Sequence, residues 1–220
     1  MEFSFLTACT AVITVLITLV IIRYFYLVSI CGNSRTGVKQ TRPSSTMIVL
    51  GSGGHTSEMM TLLSGMDLSH YTPRTYVVAN SDTMSADKLN KFEEDIGKSE
   101  EVRVHLIPRA REVKQLYLTS VFSTLYATLA TLPVVLETRP DLLLCNGPGT
   151  CIPIAFWTYL LKFLLLKDVK MIYVESICRV EKLSLSGLLL YYLYMADHVI
   201  VQWPTLHKQY PRTQYLGRIV

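Results

Sequence analysis

The sequence lacks the cysteine pattern of a disulfide framework or a zinc site. Its five cysteines are an odd number, and no two of them have the Cys-x-x-Cys spacing. Such usage is typical of a chain that resides in a reducing compartment. The sequence also contains no Asn-x-Ser/Thr glycosylation acceptor, which agrees with a cytosolic position for most of the chain.

Blocks of like charge are also missing. The chain has 21 basic and 17 acidic residues, a net charge of +4, and the basic residues are scattered. A nucleic-acid-binding surface usually concentrates Lys and Arg in one patch, so we expect no nucleic-acid partner. The sequence shows no internal repeat and no low-complexity segment.

One uncharged run near the N-terminus is long enough to cross a bilayer. Residues 3–22 carry no charge, and about 20 apolar residues suffice for a helix to span the hydrocarbon core. Glu2 precedes the run and several basic residues follow it, so the positive-inside rule places the rest of the chain in the cytosol. A cleaved signal peptide would have a basic start and a shorter apolar region.

These features divide the chain into three parts. We predict a transmembrane anchor at residues 1–24, a polar linker at 25–46 and a Rossmann-like domain at 47–220. In the domain, apolar strand-like runs alternate with helix-period segments, which predicts one doubly wound parallel sheet of order 3-2-1-4-5-6 in the α/β class. The predicted strands are 47–50, 75–79, 102–107, 142–145, 171–175 and 199–202. The predicted helices are 55–64, 85–96, 111–136, 152–166 and 184–195.

The third of these helices is unusually apolar. Residues 116–136 carry no charge but include several Ser and Thr residues and Pro133. This composition favours a long helix buried against the sheet and closed by Pro133 over a second transmembrane span. A third interpretation is an interfacial helix, with side chains such as Phe122 and Tyr126 at the bilayer surface.

Two glycine loops follow the first and fourth predicted strands. The first contains Gly51, Ser52, Gly53, Gly54, His55 and Thr56, and the second contains Asn146, Gly147, Gly149 and Thr150. In the predicted order these strands are neighbours, so both loops meet at one edge of the sheet, where helix N-termini can bind an anion. The fifth strand delivers Glu175, Ser176 and Arg179 to the same edge.

His55 and Glu175 are the candidate catalytic residues. A neutral imidazole beside a reacting hydroxyl is the usual general base, and His55 stands at a predicted helix start. Each residue also has a structural interpretation. His55 could simply bond the backbone, and Glu175 could be a surface carboxylate or a helix cap.

The first loop does not match the common nucleotide-binding motifs. Thr56 replaces the third glycine of Gly-x-Gly-x-x-Gly, and the acid nearest the second strand, Asp82, comes late. No Lys-Ser/Thr pair follows the glycines, so the loop is not a Walker A motif. We therefore expect no cofactor.

Five segments together resemble one known family. They are 51–58 (Gly-Ser-Gly-Gly-His-Thr-Ser-Glu), 142–150, 173–181, 201–204 and 215–220. These segments resemble the membrane-anchored subunit of the N-acetylglucosaminyltransferase that adds the second sugar to dolichol-linked oligosaccharide, and the resemblance covers the whole chain. The first segment alone is similar to the wider group that contains the bacterial peptidoglycan glycosyltransferase acting on lipid I.

The resemblance implies half of a GT-B glycosyltransferase. Two Rossmann-like domains would face across a cleft, with the lipid-diphosphate acceptor in this chain and the sugar nucleotide in a cytosolic UDP-GlcNAc-binding subunit. The implied reaction transfers GlcNAc from UDP-GlcNAc to GlcNAc-diphospho-dolichol, with inversion to a β1,4 bond and without a metal held by Asp-x-Asp. The sequence contains no Asp-x-Asp. The implied location is the cytosolic face of the endoplasmic reticulum membrane, where the enzyme of the preceding step is another candidate partner.

The resemblance also implies roles for individual residues. The two glycine loops, with Ser176 and Arg179, would hold the acceptor diphosphate, and His55 or alternatively Glu175 would deprotonate the acceptor 4-hydroxyl. From its apolar composition alone, we also expect helix 116–136 to guide the dolichyl chain. We expect a partner surface at the apolar tail formed by Leu216, Gly217, Arg218, Ile219 and Val220. The alternatives are a membrane scaffold without catalytic groups, and a self-sufficient NAD-binding or lipid-modifying enzyme.

Overall fold

A computed structural model describes residues 2–31, 42–97, 101–111, 115–147 and 149–220. Its helices are α1 (Glu2–Ile30), α2 (Gly54–Ser64), α3 (Thr83–Asp95), α4 (Tyr117–Thr138), α5 (Cys151–Phe163), α6 (Leu185–Tyr192) and α7 (Pro204–Gln209), with one 3₁₀ helix at Leu68–His70. Its strands are β1 (Thr46–Val49), β2 (Arg74–Ala79), β3 (Val102–Ile107), β4 (Leu142–Asn146), β5 (Lys170–Val174), β6 (His198–Val201) and β7 (Gln214–Tyr215).

The strands form one parallel sheet in the order β3-β2-β1-β4-β5-β6-β7. β1 lies inside the sheet, where Val49 is paired with Val77 of β2 on one side and with Cys145 of β4 on the other. This confirms the predicted fold class and the order of the six predicted strands. The short α7 and the two-residue β7 were not predicted, because neither is long enough to show a periodic pattern.

Both faces of the sheet are covered. Successive residues of β1 point to opposite faces, so Met47 packs with α5 and α6 while Ile48 packs with α2 and α3. All four residues of β1 are buried. Burial on both faces explains why the strands read as continuous apolar runs instead of alternating ones.

The N-terminal helix α1 is a candidate membrane span that also contacts the domain. Only 6% of its most apolar window within Cys9–Ile30 is buried. Near its end, Arg23 donates hydrogen bonds to the carbonyls of Lys162 (2.6 Å) and Phe163 (3.0 Å) at the C-terminus of α5, and Leu27 is buried. The helix therefore continues to Ile30, into the predicted linker. Residues 32–41 of that linker lie outside the described residues.

Helix α4 differs from its prediction in bounds and in burial. It begins at Tyr117 rather than at residue 111, and Pro133 lies inside it instead of closing it. Only 28% of its most apolar window is buried. Its exposed large apolar side chains, among those described, are Val121, Phe122, Leu125, Tyr126, Leu129 and Leu136. The prediction of a helix buried against the sheet is therefore wrong for this side of α4, because apolar composition does not reveal which side meets the core.

A buried ion pair fastens β2 to α3. The Arg74 guanidinium contacts the Glu93 carboxylate at 2.9 Å and 3.2 Å, and the Tyr76 hydroxyl donates to the same carboxylate. All three side chains are buried. Burial raises the pKa of the Tyr76 phenol, so it stays protonated as a donor. The pair holds α3 in position beneath the first glycine loop.

We expect Arg74→Met to lower the free energy of unfolding by about 3–5 kcal/mol, because the substitution leaves the Glu93 carboxylate buried without its partner. The measurement is urea unfolding of the full chain in detergent, followed by tryptophan fluorescence. Arg103→Met is the matched control, because Arg103 and Glu137 form an exposed pair at 3.6 Å, which contributes about 1 kcal/mol or less. Equal losses in the two variants would contradict this account.

Candidate active site

A cavity of about 910 Å³ lies at the carboxyl ends of β1, β4 and β5. Three helices begin at its wall, because Gly54 of α2, Thr150 before α5 and Ser184 before α6 all line it. The first turn of a helix presents N–H groups without intrahelical partners and the positive end of the helix dipole. The cavity is therefore suited to an anion, as the sequence predicted for this edge of the sheet.

Side-chain hydrogen bonds from Thr56 and α3 hold the first glycine loop in place. Gly53 has φ +65°, a conformation that glycine adopts without strain. The Thr56 hydroxyl donates to the Gly51 carbonyl, and it lies 2.6 Å from the Ser85 hydroxyl of α3. Thr56 is completely buried. The prediction that Thr56 binds the diphosphate is therefore wrong, because its hydroxyl is used to hold the loop.

His55 is the titratable side chain at the centre of the site. Its Nδ1 lies 3.0 Å from Oδ1 of Asn146 and 3.5 Å from Oε2 of Glu58. Both neighbours of Nδ1 are acceptor oxygens, which favours the neutral tautomer with the proton on Nδ1 and the lone pair on Nε2. The hydrogen bond to Glu58 raises the pKa of His55 above its ordinary value, against the effect of burial. The ring lines the cavity, so it is placed to accept a proton there.

The second glycine loop provides the slot for this imidazole. Gly147 has φ +76°, and a Cβ at this position would lie 2.2 Å from Nδ1 of His55. Asn146 is completely buried, its Oδ1 contacts His55, and its Nδ2 has no hydrogen-bond partner among the described residues. Gly149 and Thr150 line the cavity as predicted. The loop thus supports the candidate base as well as forming one wall.

Glu58 is a site residue that sequence reasoning missed. One carboxylate oxygen approaches His55, and the other accepts a 2.7 Å hydrogen bond from the Ser176 hydroxyl. Burial alone would raise the pKa of Glu58, but the hydrogen bonds from His55 and Ser176 outweigh it and lower the pKa. The signal was present in the sequence, because Glu58 follows His55 by three positions, a spacing that places both on one side of a helix.

Glu175 does not face the cavity. It is completely buried, and its carboxylate accepts hydrogen bonds from the backbone N–H groups of Ser184 (2.8 Å) and Ser176 (3.1 Å). A Cβ at Gly187 would lie 2.5 Å from the same carboxylate. Burial raises the pKa of Glu175, and these backbone bonds oppose the rise. Its position contradicts the role of general base, because the residue joins two walls of the site instead.

Three arginines give the cavity a basic wall. Arg179 was predicted, whereas Arg109 and Arg111 in the segment after β3 were missed. This segment was not predicted to reach the site, because β3 lies at the edge of the sheet. Guanidinium groups donate paired hydrogen bonds to phosphate oxygens, so the wall matches a diphosphate.

The C-terminal tail packs partly on its own domain. Ile219 and Val220 contact the core on the α2 and α3 side of the sheet, and the Ile219 N–H donates to Oε1 of Gln202 at 2.9 Å. Leu216, in contrast, is 63% exposed. The predicted partner surface at residues 216–220 therefore divides into a part that stabilises the fold and a part that is open.

Comparisons with known proteins identify the family of the chain. A family model described as oligosaccharide biosynthesis protein Alg14-like matches residues 46–219. Proteins named UDP-N-acetylglucosamine transferase subunit ALG14 are similar over most of the chain. The rat protein is 51% identical over 180 residues, with 79% of this chain and 82% of the relative covered. The human protein is 48% identical over 182 residues, with 80% and 83% covered.

A solved structure shares the fold. The crystal structure of MurG from Acinetobacter baumannii superimposes with a TM-score of 0.51 and 15% sequence identity. The match covers 74% of this chain and 42% of the MurG chain, so this chain corresponds to less than half of that protein. Since the family match covers most of its length, the chain belongs to the Alg14-like family of oligosaccharide biosynthesis proteins.

Proposed function

We propose that this chain is the membrane-anchoring, acceptor-binding subunit of a two-chain N-acetylglucosaminyltransferase. The observation that carries the proposal is the hydrogen-bonded cluster of His55, Glu58 and Asn146 at the wall of a basic cavity. This arrangement combines a general base with a site for a diphosphate, which is the chemistry of a sugar acceptor carried on a lipid diphosphate. The printed names of the relatives, UDP-N-acetylglucosamine transferase subunits, support the donor sugar.

The proposed reaction transfers GlcNAc from UDP-GlcNAc to GlcNAc-diphospho-dolichol and forms a β1,4 bond, the second step in the assembly of the lipid-linked oligosaccharide for protein N-glycosylation. The acceptor 4-hydroxyl oxygen bonds to the donor anomeric carbon, and the bond from that carbon to the UDP phosphate oxygen breaks. The hydroxyl proton moves to Nε2 of His55, and UDP leaves with the electron pair. The carboxylate of Glu58 stabilises the imidazolium that forms.

The donor sugar nucleotide would be bound by a separate cytosolic subunit. Helix α1 would hold that subunit at the cytosolic face of the endoplasmic reticulum membrane, and we expect no transfer by this chain alone. The exposed Leu216 is the best candidate for contact with the partner, because Ile219 and Val220 already pack on the core of this domain. The word subunit in the names of the relatives supports a partner chain.

We expect His55→Ala to lower kcat by roughly 10²–10⁴, the contribution of a positioned general base. The assay uses UDP-GlcNAc, a short-chain lipid-diphosphate GlcNAc acceptor and the complex with its donor subunit. The control is His70→Ala, because the His70 side chain is 61% exposed and pairs with Asp67 on the surface. If His55→Ala kept full activity in an intact complex, the membrane-scaffold interpretation would replace this one.

The dependence of kcat/KM on pH tests the role of Glu58. The base must be neutral, so activity rises with pH through the pKa of His55, which the hydrogen bond to Glu58 raises. In Glu58→Gln that carboxylate is lost and the pKa of His55 falls. The acidic limb of the profile should therefore move to lower pH. The exposed Glu94 provides a control that removes the same charge, and an equal movement in Glu94→Gln would argue against the pair.

A further inference from the structure

A second cavity lies between α4 and α5, outside the active site. It is an open groove of about 550 Å³, within the range of roughly 300–1,000 Å³ that is usual for sites of small-molecule ligands. Its apolar lining consists of Val121, Leu125, Leu129, Ile152, Phe156 and Trp157. Leu125 is 57% exposed and Phe156 is 43% exposed. Contiguous exposed apolar surface of this kind often marks a binding site.

The groove presents hydrocarbon rather than hydrogen-bonding groups. The indole N–H of Trp157 donates to the Thr128 carbonyl at 2.5 Å. The Thr124 hydroxyl donates to the Ala110 carbonyl at 3.1 Å, and the Thr128 hydroxyl donates to the Thr124 carbonyl at 2.7 Å. Since these polar atoms are satisfied within the chain, a ligand gains contact mainly by removing apolar surface from water.

The groove adjoins the active-site cavity at two points. Thr150 lines the cavity and Ile152 lines the groove, and both lie at the start of α5. At the second point, Ala110 accepts the hydrogen bond from the groove residue Thr124, while the two arginines that flank Ala110 line the cavity. The walls of the cavity and of the groove are therefore built from neighbouring residues of the same two segments.

We propose that the groove between α4 and α5 binds the hydrocarbon of the acceptor next to its diphosphate. The proposal rests on the function above, in which the cavity holds that diphosphate. A polyprenyl diphosphate carries its chain directly on the phosphate, so the first isoprene units begin at the cavity wall. These isoprene units then lie in the groove beside the cavity, and Leu125 and Phe156 pack against them.

Binding can be measured on this chain without a donor subunit. The protein has two tryptophans, and Trp203→Phe leaves Trp157 in the groove as the only one. We expect geranylgeranyl diphosphate to change the emission of Trp157 saturably when the full chain is held in phosphatidylcholine nanodiscs. Inorganic diphosphate, which lacks the chain, should leave the emission unchanged. An equal change with inorganic diphosphate, or none with geranylgeranyl diphosphate, would overturn the proposal.

A matched pair of variants distinguishes ligand binding in the groove from simple contact of α4 with the bilayer surface. Leu125 lines the groove, whereas its neighbour Tyr126 is 65% exposed and is absent from the groove lining among the described residues. We expect Leu125→Ser to weaken geranylgeranyl diphosphate binding about tenfold, as the loss of one or two buried methylene contacts implies. Tyr126→Ser should bind it normally.

Three outcomes of these titrations are distinguishable. Equal weakening in both variants would mean that α4 rests on the bilayer, and it would overturn the groove. Weakened binding of inorganic diphosphate by Leu125→Ser, measured by isothermal titration calorimetry because this ligand leaves the Trp157 emission unchanged, would also overturn it, since the variant would then have damaged the cavity. If binding follows the expected pattern but the complete complex transfers no GlcNAc, the groove assignment stands and the proposed function fails.

Discussion

The active site depends on one close approach, that of the His55 imidazole to the backbone of Gly147. A Cβ at Gly147 would lie within 2.2 Å of the ring, so the slot exists only where a glycine has φ +76°. The approach also requires that β1 and β4 are neighbours, because His55 follows one strand and Gly147 follows the other. The strand order thus sets the position of the candidate base.

Buried polar contacts extend this arrangement to the rest of the cavity wall. Glu58 links His55 to Ser176 after β5, and Glu175 links Ser176 to Ser184 at the start of α6. A buried carboxylate is tolerated when its oxygens accept hydrogen bonds, and both oxygens of Glu175 accept one from a backbone N–H group. The half-buried Glu58 accepts one from Ser176 and places its second oxygen 3.5 Å from His55. These contacts hold the N-termini of the helices in place around the cavity. Arginine and serine side chains line it.

Sequence patterns predicted the features that extend over several residues, namely the buried strands and the glycine loops. Strands buried on both faces predicted the parallel sheet, and the glycine loops predicted its functional edge. The direction of single side chains could not be predicted. Thr56 and Glu175 stand at the correct edge but point into the protein. Glu58 faces the site from the helix after the first loop, and Arg109 faces it from a segment without a distinctive motif. The composition of α4 left open whether the helix is buried or has an exposed side, and the structure shows that one side is exposed.

The candidate membrane span α1 and the candidate active site are connected through α5. Arg23 of α1 bonds the carbonyls at its C-terminus, while its first turn lies between the cavity and the apolar groove. In this account, the chain presents a lipid diphosphate to a sugar nucleotide held by another chain. The most direct test is transfer of GlcNAc from UDP-GlcNAc to a lipid-diphosphate GlcNAc acceptor by the anchored chain, by the donor subunit and by their mixture. The account predicts transfer only in the mixture, and turnover by either chain alone would contradict it.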